Sequence, residues 1–265
     1  MSPNSESSVE DKGIVEDRSQ HRAIKTVAVL FAMQAESTPL IEHLKLTVNS
    51  DHLFPKGSPW IVYSGGHGDV HFHVIVPGKD GETGVDNVGT VPAAVATYAA
   101  IDKLKPDLLI NAGTSGGFKA KGAAIGDVYF ISTFVNHDRR IPLPGFEKYG
   151  IGAKQATQAP NLVKALGLKE GILSTANSFD LSEKDREWIT KNDATVKDME
   201  GSGFAWVAAT LGVPFLGIKA ITDLVDGGRP TQEEFLENLH TAAAALKRVV
   251  PEVVSFASGK RLNEL

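Results

Sequence analysis

Short apolar runs alternate with amphipathic stretches along most of this chain. The run at residues 27–33 (VAVLFAM) is almost uninterrupted, which is typical of a strand buried on both faces of a sheet. In the next segment, residues 37–46, Leu40, Ile41 and Leu44 recur at helical spacing and predict a helix. The same alternation of strand and helix patterns continues to residue 258.

The remaining elements follow from the same patterns. Strands are predicted at residues 60–64, 70–76, 108–112, 127–135, 171–175 and 213–221. Helices are predicted at residues 88–104, 183–191, 199–211 and 233–258, the last with a break at Pro251 because proline disrupts a helix interior. Two prolines and three glycines predict a loop at residues 142–152. Strands and helices that alternate without a change in composition predict one α/β domain on a largely parallel sheet.

The first 22 residues have a different composition. They carry eight formal charges, five serines and almost no apolar residues, so they cannot bury enough surface to offset the entropy of ordering. They also lack the apolar segment of a signal peptide and the arginine-rich character of a transit peptide. We therefore expect a disordered N-terminal tail at residues 1–22 and one domain at residues 23–265.

Composition narrows the class of protein further. The 265 residues include no cysteine, which excludes disulfides, thiolate zinc sites, iron–sulfur clusters and a cysteine nucleophile. The formal net charge of -5 argues against a nucleic-acid partner. No apolar run approaches the roughly 18 residues of a membrane span. The sequence predicts a cytoplasmic enzyme that acts on a small molecule, with neither nucleic acid nor membrane as partner.

Polar residues follow the predicted apolar runs in four places. Ligands of open α/β sheets bind outside the carboxyl ends of the strands, so these residues are candidates for chemistry. The four segments are AMQAE (32–36), NAGTSGG (111–117), DMEG (198–201) and KAITDLVDG (219–227). The neighbouring Met199 and Glu200 offer an apolar wall beside a strong acceptor, a combination that suits a sugar.

Each segment also has an ordinary structural explanation. Glu36 and Glu200 fall in the first turn of a predicted helix, where a carboxylate is favoured by about 0.3–1 kcal/mol. The glycines at residues 113–117 suit a tight turn, and Asp223 and Asp226 suit a turn or a helix cap. Taken singly, none of the four segments decides between structure and function.

Their combination identifies a family. In this order and spacing, AMQAE, NAGTSGG, the loop from HDRR (137–140) to Phe146, STANSFD (174–180), KDMEG (197–201) and KAITDLVDG resemble the 5'-methylthioadenosine and S-adenosylhomocysteine nucleosidases. The resemblance is to the plant type, within the purine nucleoside phosphorylase superfamily, and extends from about Lys25 to Ser258. It implies one three-layer domain with a central mixed, mostly parallel sheet flanked by helices.

The resemblance also implies the reaction. The family hydrolyses the N-glycosidic bond of 5'-methylthioadenosine, and in some members of S-adenosylhomocysteine, to give adenine and an alkylthioribose for methionine salvage. It does so without a cofactor or metal, as a cytoplasmic homodimer in which a loop of the partner completes the alkylthio pocket. The apolar segment at residues 141–146 is the expected source of that loop, because it is too hydrophobic for a free surface.

By position in the motifs, the resemblance assigns the chemical roles. Asp223 matches the acid that protonates adenine, and Glu36 matches the base that activates water. Glu200 matches the carboxylate that binds the ribose hydroxyls, beside Met199, and Thr114 matches a hydroxyl near the water and the ribose.

Five further residues match binding positions. Phe179 is expected to pack on adenine, with the backbone at Phe179 and Asp180 reading the base edge. Met33 and Phe146 are expected to line the alkylthio pocket. Lys219 stands near Glu200 where bacterial relatives have arginine, which replaces a bidentate fork by a point charge.

Two other functions remain to be weighed. A phosphorylase of the same superfamily would need arginines for phosphate, whereas the corresponding segments here hold Glu36 and Asn111. A non-catalytic storage protein on the same fold is expected to lack the acid, the base or the ribose carboxylate. The chain retains Glu36, Glu200 and Asp223, so the sequence favours hydrolysis over both.

Overall fold

A ten-stranded sheet runs through the computed structural model, which describes residues 22–49, 51 and 53–265. The strands are β1 (Thr26–Leu30), β2 (Thr47–Val48), β3 (Ile61–His67), β4 (Val70–Val76), β5 (Leu108–Gly117), β6 (Val128–Asn136), β7 (Lys154–Gln155), β8 (Lys169–Thr175), β9 (Val196–Asp198) and β10 (Phe215–Leu224). The helices are α1 (Gln34–His43), α2 (Thr90–Leu104), α3 (Glu147–Ile151), α4 (Pro160–Leu166), α5 (Glu183–Lys191), α6 (Gly201–Thr210) and α7 (Thr231–Ala257).

The sheet is mixed and largely parallel, as predicted. Parallel pairing joins β4 to β1, β1 to β5, β5 to β10, β6 to β8 and β8 to β9. Antiparallel pairing joins β10 to β6 and β9 to β5, so β5, β10, β6, β8 and β9 close into a ring. The strands β4, β3 and β2 extend outward from β1.

The centre of this arrangement is β5, which is buried along its whole length. On one side it pairs with β10 up to Gly117. On the other side it pairs with β1 only as far as Asn111, and with β9 from Gly116 onward. No strand of the described residues pairs with β5 between Asn111 and Gly116 on that side, and the candidate site forms there.

Most predicted elements are confirmed with small shifts of their ends. Helix α5 has the predicted bounds, because Ser182 and Asp185 form a reciprocal cap at its start. The strands predicted at residues 60–64 and 70–76 are confirmed, and they form the antiparallel pair β3–β4. The glycine-rich segment expected to follow a strand at residues 108–112 is itself part of β5. The pattern missed β2, β7, β9 and α4, which have seven residues or fewer.

Two predictions were wrong. The segment predicted as a loop at residues 142–152 contains the short helix α3. The predicted break at Pro251 does not occur, and α7 continues through the proline. An interior proline costs about 3 kcal/mol, but α7 buries apolar side chains on both sides of Pro251. These include Leu246, Val249, Val250, Val253 and Val254.

The predicted tail at residues 1–22 lies outside the described residues except for Arg22, and it remains a prediction. The Arg22 guanidinium is exposed and contacts the Asp107 carboxylate at 3.1 Å. In the part of the chain that is described, we find no helix with the length and apolar character needed to cross a membrane. The cytoplasmic location is likewise still a prediction.

Candidate active site

A cavity of about 310 Å³ opens at the carboxyl ends of β5 and β10. Seven of the ten residues predicted from the sequence line it, and they come from five different segments of the chain. They are Met33, Glu36, Thr114, Phe179, Met199, Glu200 and Asp223. The cavity is therefore where the candidate chemistry of the sequence converges.

Glu36 fills the gap beside β5. It lies in the first turn of α1 and is 2% exposed. Its Oε1 accepts hydrogen bonds from the Thr114 backbone N–H at 2.7 Å and from the Thr114 hydroxyl at 2.6 Å. Its Oε2 accepts from the Met33 N–H at 3.1 Å. This carboxylate is held in one orientation by the free backbone of β5 and by the start of its own helix.

Asp223 reaches the cavity because β10 contains a bulge. The register between β5 and β10 slips between Ile221 and Asp223, so the alternation of faces shifts by one residue. Asp223 therefore lies on the same face as its partner Gly116 rather than on the face of Lys219. The Thr222 hydroxyl donates to Asp223 Oδ1 at 2.7 Å. Burial raises the pKa of Asp223, while the Thr222 hydrogen bond and the Lys197 charge act against that rise.

Glu200 occupies a third side of the cavity and precedes α6 directly. Its Oε1 accepts a hydrogen bond from the Gly89 N–H at 2.8 Å, and the residue is 8% exposed. Burial and the nearby charge of Asp198 raise the pKa of Glu200 to about 7, against the opposing effect of Lys219. Near neutral pH this group therefore exchanges between its neutral and charged forms.

Lys219 lies under the cavity and is not among the residues that line it. Its ammonium contacts Asp198 Oδ2 at 2.9 Å, and both side chains are almost fully buried. Burial alone would lower the pKa of Lys219, but the charges of Asp198 and Glu200 outweigh it and raise that pKa. A methyl group at Gly113 would lie 3.5 Å from the ammonium and 3.3 Å from Glu36 Oε1. Lys219 is thus paired with Asp198, and it acts on Glu200 through its charge.

Asp198 organises this end of the sheet. Its Oδ1 accepts from the Thr175 hydroxyl at 2.6 Å, and its Oδ2 accepts from the Gly201 N–H at 2.9 Å. It thereby links β8, the start of α6 and the buried ammonium of Lys219. Met199 and Glu200 follow it directly and are held by this anchor.

Three of the predicted binding residues do not line the cavity of their own chain. Lys219 lies below it, and Asp180 is exposed just after Phe179. Phe146 also lies outside the cavity of its own chain, and its expected contact with the alkylthio pocket stays a prediction. Phe146 is 45% exposed and packs edge-on against Tyr149 at 6.1 Å between ring centres.

Nine lining residues had no role in the sequence analysis. Six of them lie within its motifs, namely Ala32, Ser115, Gly116, Lys197, Asp198 and Thr222, whereas Val88, Thr231 and Phe235 lie outside every motif. The Phe235 ring, on α7, packs edge-on against Phe179 with 5.6 Å between centres. Lys197 was present in the KDMEG motif but received no role. Phe235 carried no signal, since an aromatic residue at helical spacing is typical of core packing. Within the described residues we find no cluster of three or more histidines and carboxylates able to hold a metal.

Comparison with known proteins agrees with the fold and the motifs. Residues 26–255 match the model of the Phosphorylase superfamily. The chain is 51% identical over 244 residues to the 5'-methylthioadenosine nucleosidase of Arabidopsis thaliana, covering 92% of this chain and 91% of that one. It is 51% identical over 246 residues to the 5'-methylthioadenosine/S-adenosylhomocysteine nucleosidase of the same plant, covering 93% and 97%.

A solved structure shows the same architecture. The Arabidopsis thaliana 5'-methylthioadenosine nucleosidase in its apo form superposes with a TM-score of 0.91, covering 92% of this chain and all of that one. The identity of 51% extends over this shared fold, so the similarity concerns the whole domain rather than isolated motifs. The chain belongs to the 5'-methylthioadenosine/S-adenosylhomocysteine nucleosidase family of the phosphorylase superfamily.

Proposed function

We propose that this chain hydrolyses the N-glycosidic bond of 5'-methylthioadenosine to adenine and 5-methylthioribose. One observation carries the proposal: two buried carboxylates reach one cavity from opposite sides of β5. Glu36 bonds Thr114 on the side of β1, and Asp223 meets Gly116 on the side of β10. These two positions are separated by one residue of β5. A carboxylate on each side of the scissile bond suits inverting hydrolysis, in which one protonates the leaving group and the other activates the water that attacks the opposite face of the sugar.

Each carboxylate has a chemical task. Adenine leaves poorly as an anion, so Asp223 protonates N7 as the bond to the sugar breaks. Glu36 accepts a proton from the water that attacks the anomeric carbon. The Glu36 carboxylate and Thr114 share a hydrogen bond, which keeps the base aimed at the ribose side of the cavity.

Glu200 and its neighbours hold the sugar. In its charged form Glu200 accepts hydrogen bonds from the ribose hydroxyls, and the adjacent Met199 covers an apolar face of the ring. The excess of carboxylates stabilises the positive charge that develops on the ribose in the transition state. Phe179 lies over the adenine, with Met33 against the alkylthio group.

Phosphorolysis is the competing reaction, and the cavity does not favour it. A phosphate nucleophile needs cationic groups at the water position. That position holds Glu36, which repels an anion, and the described residues that line the cavity include no arginine. A purely storage function is disfavoured because acid, base and ribose carboxylate all reach the same cavity.

The direct test is adenine release from 5'-methylthioadenosine and from S-adenosylhomocysteine, each with and without phosphate. Hydrolysis predicts free methylthioribose and a rate that phosphate does not increase. A ribose-1-phosphate product would contradict hydrolysis, and absence of adenine release would contradict the enzymatic function. The second substrate shows whether the cavity accepts the longer alkylthio group.

We also propose that the chain acts as a homodimer. An apolar groove of about 370 Å³ lies between α2 and α6, lined by Val95, Tyr98, Trp206 and Leu211. Each of these four side chains is more than two-fifths exposed, and an apolar surface of this kind is typical of an interface. The occupant that we propose for this groove is a second copy of the chain. A second copy also accounts for Phe146, whose side chain is exposed and lies outside the cavity of its own chain.

A further inference from the structure

Lys197 is a buried cation of the cavity that the proposed reaction does not use. The residue is 5% exposed and lines the cavity. Burial of an ammonium group is costly unless it is hydrogen-bonded and paired with opposite charge. Its Nζ donates a hydrogen bond to the Phe179 carbonyl at 2.5 Å and lies 5.5 Å from the centre of the Phe179 ring. The ammonium is therefore directed at the segment that carries the predicted adenine contact.

The other end of this side chain is tied to Asp223 through the sheet. Gly116 of β5 pairs with Lys197 of β9 on one side and with Asp223 of β10 on the other. Because Gly116 has no side chain, both neighbours close over it. A Cβ there would lie 2.8 Å from Asp223 Oδ2 and 3.4 Å from Lys197 Cγ. Lys197 thus spans from the acid to the adenine segment.

The segment that it holds is also anchored through side chains. The Asn177 Oδ1 accepts hydrogen bonds from the Thr90 N–H at 3.0 Å and from the Thr90 hydroxyl at 2.9 Å, and the Phe179 ring packs against Phe235. Residues 177–180 are exposed, between β8 and α5. At the start of the segment, the Asn177 N–H donates to Asp138 Oδ2 at 2.8 Å. At its end, Ser182 caps α5. Between these two points the Lys197 hydrogen bond joins the Phe179 backbone to the sheet.

We propose that Lys197 is a positioning residue that fixes the adenine-binding segment around Phe179 relative to the acid Asp223. This inference rests on the proposed hydrolysis, and it adds a residue that touches neither the sugar nor the water. An apolar side chain of equal length would fill the same space but could not hold the Phe179 carbonyl. Such a substitution therefore separates the hydrogen bond of Lys197 from the packing of its side chain.

The charges around Lys197 give a second readout. Asp223, Asp198, Asp180 and Asp185 all act on its ammonium, and Glu234 acts with Lys197 on Asp223. The Lys197 charge lowers the pKa of Asp223, so removal of that charge lets this pKa rise. The protonated acid then persists to higher pH. In a variant without the Lys197 charge, the alkaline limb of the pH profile of kcat/KM is therefore expected to move to higher pH.

The test compares Lys197→Met, Lys197→Arg and the control Lys164→Met, which removes a charge from an exposed position on α4 outside the cavity. Adenine affinity is measured by calorimetry, and kcat and KM are measured with 5'-methylthioadenosine. A hydrogen bond from a charged donor contributes enough for a change of about tenfold or more. We expect at least this loss of adenine affinity in Lys197→Met, with a matching rise in KM. Lys197→Arg, which keeps the charge and the donors, should recover most of it.

A thermal melt establishes that each variant is folded. If Lys197→Met does not fold, Lys197→Gln removes the charge while keeping a polar side chain, and its alkaline limb should move in the same direction. Wild-type adenine affinity and an unchanged pH profile in a folded, uncharged variant would overturn the inference. Failure of the proposed function would look different, because the wild-type chain itself would then release no adenine.

Discussion

Four carboxylates and two ammonium groups surround the cavity, and this excess of negative charge governs the behaviour of single residues. Asp198 pairs with Lys219, and Lys197 acts on Asp223. Glu200 has a backbone N–H as its hydrogen-bond donor, and burial raises its pKa to about 7. The same excess of negative charge that suits a positively charged transition state makes the buried carboxylates repel one another.

The destabilising effect of burying the Glu200 carboxylate depends on pH. Between its ordinary pKa of 4.5 and the raised value of about 7, Glu200 keeps a proton in the folded protein that the unfolded chain has already released. The free energy of unfolding is therefore expected to fall as pH rises through this window. Glu200→Gln cannot titrate, so its decline should be smaller than in the wild type. Urea unfolding across the window measures both slopes, with the exposed Glu252→Gln as control. Equal slopes in all three proteins would contradict a raised pKa at Glu200.

Most of the candidate site residues could be predicted from the sequence because they lie in recognisable motifs. Glu36, Thr114 and Asp223 follow apolar runs, and the carboxyl ends of strands are where ligands bind, whereas Glu200 was indicated by its place at the start of a predicted helix. Lys197 was not predicted to contribute, because a three-residue strand leaves no pattern and the side chain's direction depends on pairing with Gly116.

Among the elements, β5 and the bulge of β10 position the acid. Strict alternation along β10 would put Asp223 on the same face as Lys219, away from Gly116. The bulge reverses this, and the missing side chain at Gly116 leaves room for the carboxylate. Strand and helix types could be predicted from periodicity. The bulge and the closed ring of strands could not, since both depend on pairing between distant segments.

A methyl group at Gly116 tests this arrangement. Its Cβ would lie 2.6 Å from Val225 Cγ2 and 2.8 Å from Asp223 Oδ2, so the acid must move. A displacement of about 1 Å in a catalytic group costs on the order of 10²-fold in rate. We expect Gly116→Ala to lose adenine release on this scale. Gly66→Ala on β3 is the matched control, because nothing lies within 4 Å of its added Cβ, and its rate should match the wild type. Wild-type activity in Gly116→Ala would show that the close approach is not required.

For the whole molecule, the exposed groove between α2 and α6 predicts self-association. Light scattering at micromolar concentration should give twice the chain mass of 28.3 kDa. Tyr98→Glu places a charge in the groove and should shift the mass toward that of one chain, with a higher KM if the partner completes the cavity. Val48→Glu, at an exposed position on the edge strand β2, should leave the dimer intact. A fully active wild-type monomer at that concentration would contradict the dimer.

The central claim is that Asp223 protonates the leaving adenine while Glu36 activates water, and leaving-group chemistry separates the two tasks. On 5'-methylthioadenosine, Asp223→Asn and Glu36→Gln should each lose about 10²–10⁴-fold in rate, because each removes a proton-transfer group. On a nitrophenyl riboside analogue, whose leaving group departs without protonation, only one variant should remain impaired. The account predicts near wild-type hydrolysis of that analogue by Asp223→Asn and slow hydrolysis by Glu36→Gln. If Asp223→Asn slows the analogue as severely as 5'-methylthioadenosine, Asp223 is not the leaving-group acid and the account is contradicted.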